Sequence, residues 1–234
     1  MKHKKLYLAG LLVLVGVTAC GTSSEGQLPT PEMISESLPT ITEMPGDWDE
    51  TQRQVFLIRE PENPSIDPSI WCSEAEEVSK NLIQLAGSTG ADVEMQADTP
   101  SGTARLMRLQ AWSNADVEEY YRDAKEAVRI CDGTSSTDSV GVVTITEVIS
   151  GRDIGDESIS WGQRTTPPTS LQEEKFSSMY SRTTIARFGD IVMILQLGDV
   201  SMGDEAAFLT EEEWWTIVEI AGLKLDKLAE QVHD

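Results

Sequence analysis

Apolar residues recur every three or four positions over three stretches of this chain, and every second position or without a break over several others. Ala75, Val78, Leu82, Leu85 and Ala86 share one helical face, behind the capping box Ser73-Glu74-Ala75-Glu76 and before Gly87. Val117, Tyr120, Tyr121, Ala124, Val128 and Cys131 form a second stripe. Ser113 or Asn114 stands at its start and Asp132-Gly133 at its end. Trp214, Trp215, Val218, Ala221, Leu225, Leu228 and Val232 form a third, opened by Thr210-Glu211-Glu212-Glu213 with its acids at the positive end of the helix dipole.

Strand-like runs occupy Asp92–Ala97, Thr103–Trp112, Val140–Ile149, Ser158–Thr165, Ser178–Phe188 and Ile191–Leu197, with turn residues between them. Val55–Ile58 is a short strand or the apolar side of a short helix, and Pro61, Pro64 and Pro68 then impose a loop. Phe188-Gly189-Asp190-Ile191 fits a tight hairpin, because glycine at the first central position suits a II′ turn. Ile191-Val192-Met193-Ile194-Leu195 has no polar alternation, which places it mid-sheet with both faces covered. The expected fold class is α+β: an antiparallel β-sheet with helices packed on both of its faces (an α/β sandwich), in a single domain.

The N-terminal segment follows different rules. Lys2, Lys4 and Lys5 precede an apolar run from Leu6, too short to cross about 30 Å of hydrocarbon comfortably. Its ending, Val17-Thr18-Ala19-Cys20, resembles the lipobox of bacterial lipoproteins. That resemblance implies that Cys20 is lipidated and begins the mature chain; the alternative is an ordinary signal peptide with a chance cysteine. The division is then 1–19 signal peptide, 20–45 flexible tether and 46–234 folded domain. Ser, Thr, Glu and Pro dominate the tether, and a coil of that length spans about 25–30 Å. Met33, Ile34, Leu38 and Ile41 offer an alternative, a short helix docked on the domain.

Charge and cysteines narrow the partners. The net charge is −22, and cleavage after Ala19 removes three lysines to give −25. Such an excess repels nucleic acid and anionic headgroups, so no nucleic-acid partner is expected and the membrane is met through a lipid on Cys20. Once Cys20 is acylated, Cys72 and Cys131 remain in an oxidising compartment and are expected to bond to each other; two buried free thiols are the alternative.

No catalytic residue, metal site or cofactor is expected. The histidines are His3 and His233 alone, which removes Ser-His-Asp and Cys-His chemistry. No Ser-x-x-Lys, phosphate loop or calcium loop occurs. Asp153, Asp156 and Glu157, and Asp199, Asp204 and Glu205, are clusters with the carboxylates for weak calcium binding or an acid–base pair; the competing reading is solvated loops and helix caps, the commoner use of such clusters. For a ligand, aromatics beside strand arginines are the better lead: Trp112 and Trp161 with Arg108 and Arg187, and further arginines at 105, 164 and 182. The competing reading is that these arginines pair with the protein's own acids.

The helix ending in Cys131, the strand entry Gly155-Asp156-Glu157-Ser158-Ile159-Ser160-Trp161 and the hairpin Ile185-Ala186-Arg187-Phe188-Gly189-Asp190-Ile191-Val192 together resemble the PknH-like extracellular sensor domain of actinobacterial kinases, which also occurs in lipoproteins. The resemblance spans roughly residues 72–232. It implies a domain with a cleft and a ligand-sensing role without catalysis. Members of that family have two disulfides where this chain has cysteines for one, and nothing here resembles a kinase domain. The expected function is therefore a non-catalytic lipoprotein of the cell membrane, facing outward, that binds a small-molecule or envelope ligand and signals, if at all, through a protein partner. The alternative is an accessory lipoprotein for envelope assembly or lipid transport with a Mog1/PsbP-like sandwich.

Overall fold

The run Ile191–Leu195 lies in the middle of an eight-stranded sheet, and each of its five side chains is at most 3% exposed. A computed structural model describes residues 28–58, 72–75, 87–98, 104–137, 141–168, 178–201 and 209–233. Its strands are β1 (Asp49–Leu57), β2 (Thr89–Asp98), β3 (Ala104–Ser113), β4 (Ser135–Thr137), β5 (Val143–Ile149), β6 (Glu157–Thr166), β7 (Ser178–Phe188) and β8 (Ile191–Ser201). They are ordered β1-β2-β3-β8-β7-β6-β5-β4, and every neighbouring pair is antiparallel. Three α-helices are described: α1 (Pro31–Ser37), α2 (Val117–Cys131) and α3 (Glu211–His233). The fold is α+β, with helices on both faces of the sheet, as the patterning implies.

Strand alternation sends two different sets of side chains to the two faces. On the long-helix face, Val93, Met95, Leu109, Met193 and Leu195 pack with Ile34 and Leu38 of the α1 region and with Trp214, Val218 and Leu225 of α3. On the disulfide face, Trp112, Trp161, Ile185, Val192 and Ile194 pack under Tyr120, Tyr121, Ala124 and Val128 of α2. The rings of Trp112 and Tyr120 meet edge-on, with centroids 4.7 Å apart. Cys72 and Cys131 are bonded, Cα to Cα 5.5 Å, tying the C-terminus of α2 to the 3-10 turn Ser73–Ala75. The remainder of the helix expected from Ser73, residues 76–86, lies outside the described residues.

Residues 28–45 are not a tether. Thr30 accepts a hydrogen bond from the Met33 amide at 3.3 Å, Pro31 opens the helix, and Ile34 and Leu38, one helical turn apart, are both fully buried. Two such side chains contribute about 1.5–3 kcal/mol each, enough to order a seven-residue helix that composition alone would leave disordered. Arg53 of β1 donates to the Ser35 and Pro39 carbonyls at 2.8 and 2.7 Å, and Lys224 of α3 reaches Glu43 at 2.7 Å. The segment is held from both sides.

Local signals explain the helix and strand ends. At α3, the Thr210 hydroxyl accepts from the Glu213 amide at 3.2 Å while the Glu213 carboxylate accepts from the Thr210 amide at 2.9 Å. This is the reciprocal pair that the capping box predicts. At α2 the expected side-chain cap is displaced: the helix begins at Val117, and Asn114 instead accepts from the Asp116 amide at 3.0 Å. Phe188 pairs with Ile191 around Gly189, whose φ is +56°. β1 extends from Asp49 rather than Val55, and its pairing with β2 slips by one residue between Glu50 and Gln52.

Candidate functional site

Burial decides the fate of the tryptophans. Trp112 is 0% exposed and Trp161 1%, both beneath α2 in the core of the disulfide face. Neither offers a surface to a ligand. Arg108 and Arg187 share that face but are occupied: Arg108 binds the buried Asp92 at 2.9 Å, and Arg187 approaches Asp156 and Glu157, each at 3.4 Å. The four candidates therefore do not line one cleft, and the internal ion-pair reading describes both arginines. Arg105 follows the same rule, with its Nε 2.5 Å from the buried Asp199.

The acidic loops also serve structure. Asp156 accepts from the Gly189 amide at 2.7 Å, tying the entry of β6 to the β7–β8 turn. Glu157 bridges Lys125 at 2.9 Å and Arg187; the Lys125 hydrogen bond in particular holds its carboxyl below the usual range. Asp199 also accepts from the Leu209 amide at 2.9 Å. Asp204 and Glu205 lie outside the described residues. Among the described residues, no group of three His, Cys, Asp or Glu side chains is placed to hold a metal ion. The two buried carboxylates, Asp92 and Asp199, face opposite sides of the sheet.

Two strand arginines are placed differently. β5, β6 and β7 extend sideways beyond the cover of α3, and on their long-helix face a depression of about 520 Å³ opens. Two rungs build it: Ile145, Arg164 and Tyr180 on one, Glu147, Gly162 and Arg182 on the next. Gly162 is a packing requirement, since a Cβ there would sit 2.6 Å from the Tyr180 hydroxyl and 3.2 Å from Cζ. The phenol ring thus leans across the bare glycine backbone. The Arg182 guanidinium lies 5.1 Å from the centre of that ring, and its Nη1 donates to the Thr210 carbonyl at 2.9 Å. Arg182 is thereby fixed between the aromatic face and the start of α3.

The depression combines cation, aromatic plane and apolar wall. Ile145, 38% exposed, and Ile149 supply the wall, and Glu147 stands on the rim as a hydrogen-bond acceptor. Such a set can take an anionic group against the arginines and a flat or aliphatic body against tyrosine and isoleucine. Sequence reading named both arginines but missed Tyr180 and Gly162. The signal for Tyr180 was its spacing of two from Arg182 on one strand face; that for Gly162 exists only in the cross-strand register.

No family profile matches the chain, and no curated protein matches it. Among solved structures it is similar to the extracellular domain of PknH from Mycobacterium tuberculosis, at 10% identity and a TM-score of 0.49, over 88% of this chain and 99% of that one. It is also similar to an uncharacterized protein from Mycobacterium smegmatis, at 11% identity and a TM-score of 0.40, over 80% of this chain and 88% of that one. At these scores neither likeness assigns a function or a ligand. Among the described residues, no helix is long and apolar enough to cross a membrane.

Proposed function

We propose that this chain is an outward-facing lipoprotein of the cell membrane, anchored through Cys20, which binds an anionic ligand in the depression of Arg164, Tyr180 and Arg182. The observation that carries the binding role is the meeting of two arginines with a tyrosine over Gly162, on a sheet face that α3 leaves open, in a chain of net charge −22. Anchoring is supported by the leader ending Val17-Thr18-Ala19-Cys20, and an oxidising compartment by the Cys72–Cys131 bond. Binding without turnover, with any signal passed to a protein partner, is the remaining part of the reading. Charged side chains line part of this depression and of the one around Arg108 and Glu94, which favours a polar ligand over carriage of a bare lipid tail.

Calorimetric titration of the soluble domain with an alkyl phosphate, an alkyl carboxylate and the alkylammonium of equal length tests the site. The anions bind and the cation does not; Arg182→Gln and Arg164→Gln each weaken the anions about tenfold, the loss of one charge-assisted contact. Equal binding of anion and cation, or unchanged affinity in both variants, overturns the assignment. Cys20→Ser moves the protein from the membrane fraction to the soluble one, and retention in the membrane fraction overturns the anchor.

A further inference from the structure

The described chain enters the fold at one end of the sheet. The Pro29 carbonyl accepts from the hydroxyls of Thr89 at 3.1 Å and Ser113 at 3.4 Å, two residues paired across β2 and β3. Leu57 is the β1 partner of Thr89, and Ile191 and Phe188 complete the same rung. Cys20 precedes Leu28 by eight residues, a span that covalent geometry limits to about 28 Å. Docking of residues 28–45 on the sheet thus leaves eight positions of chain between Cys20 and the docked segment, against the 25 or so that a tether to residue 45 would give. A lipid on Cys20 therefore keeps the Pro29 end near the bilayer.

This end also exposes apolar side chains. Val55 and Leu57 on the outermost strand are 48% and 53% exposed, and Met33, in the first turn of α1, is 37% exposed. The depression lies at the other end: Arg182 and Tyr180 stand six and eight positions back from Phe188 along β7, about 20–27 Å at the rise of an extended strand. We infer that the lipid surface covers Met33, Val55 and Leu57, so that the sheet stands on the bilayer with its Arg164–Tyr180–Arg182 depression turned toward the medium. The contact is apolar, because a chain of this negative charge gains nothing from anionic headgroups. This orientation rests on the anchor at Cys20 and is independent of which ligand the depression takes.

The acylated protein in phosphatidylcholine vesicles tests it. With Cys20 acylated and Cys72 bonded to Cys131, an introduced thiol is the only free one. An NBD label on Leu57→Cys shows blue-shifted emission that doxyl lipid quenches; the same label on Met179→Cys, at the far end of β7 and 54% exposed, shows neither. Adding phosphatidylglycerol to the vesicles reduces the shift at position 57. Flotation of the vesicles reports the anchor separately. Flotation with no shift at 57, or with equal shifts at 57 and 179, overturns the orientation while leaving the anchor intact. Loss of flotation overturns the anchor and the orientation with it. Unchanged circular dichroism of both labelled variants ties the readout to position rather than to unfolding.

Discussion

The two faces of the sheet are closed by unlike means. On the long-helix face, aliphatic and methionine side chains of β2, β3 and β8 meet helices from near the two ends of the chain. On the disulfide face, α2 follows directly after β3 and brings two tyrosines against two tryptophans, and a covalent bond fastens its last turn. Trp112 Nε1 and the hydroxyls of Tyr120 and Tyr121 are buried there without a hydrogen-bond partner among the described residues, whereas on the opposite face Trp214 Nε1 and Arg182 Nε are. Burial raises the pKa of both phenols, so they stay neutral across the physiological range. Aromatic area that carries desolvated donors stabilises less than aliphatic area, and the cross-link sits on the face that needs it.

Cutting the cross-link tests this contrast most strongly. Closing a loop of 59 residues restricts the unfolded chain by about 4 kcal/mol in the entropic account, so Cys72→Ser with Cys131→Ser lowers stability by about 2–4 kcal/mol. Hydrogen exchange then rises in α2 well before α3; equal acceleration in both helices would show that the faces are not held independently. Ile34→Ala is the matching change on the other face. It costs about 2–4 kcal/mol by denaturant unfolding and loosens α1, whereas a cost near zero would restore the tether reading of residues 28–45.

Smaller effects sharpen the comparison. Tyr120→Phe removes a buried, unpartnered hydroxyl and leaves stability unchanged or raised by up to about 1 kcal/mol; a loss beyond that would mean the hydroxyl has a partner. Glu43 contributes least. Its hydrogen bond with Lys224 lowers the carboxyl to about 2 from an ordinary 4.5, so its stabilisation is present above about pH 4.5 and disappears as pH falls toward 2. The carboxylate is 41% exposed, so solvent screening limits the pair to about 0.5 kcal/mol. Lys224→Ala therefore lowers the unfolding midpoint slightly at pH 7 and not at pH 2.

Legibility in the sequence followed the kind of signal each element carries. β8 announced its central place because five apolar residues in a row, following a glycine turn, leave a strand no polar face for solvent. The capping box of α3 and the Gly189 turn are local chemistry and could be read locally. α1 was legible only as the alternative to a tether, because its burial rests on Ile34 and Leu38 amid Pro, Ser, Thr and Glu, and its partners on the sheet and α3 are distant in sequence. β1 was half hidden because Asp49–Gln54 shows no apolar alternation, as befits an edge. Of the candidate site, Arg164 and Arg182 were in view, yet so were Arg105, Arg108 and Arg187. Only the register puts Arg164 and Arg182 beside Tyr180, whereas Arg105, Arg108 and Arg187 pair with Asp199, Asp92 and the Asp156–Glu157 pair.

The slip between Glu50 and Gln52 has its own consequence. Under the proposed anchoring, molecules in a membrane plane would crowd far above their bulk concentration, where any straight outer strand becomes a template for the next molecule. The irregularity falls among Asp49, Glu50 and Arg53 and interrupts the ladder that a neighbour would copy, while the opposite border, β4, has three residues among the described ones. Dense packing on a surface can thus proceed without the sheets fusing into fibres.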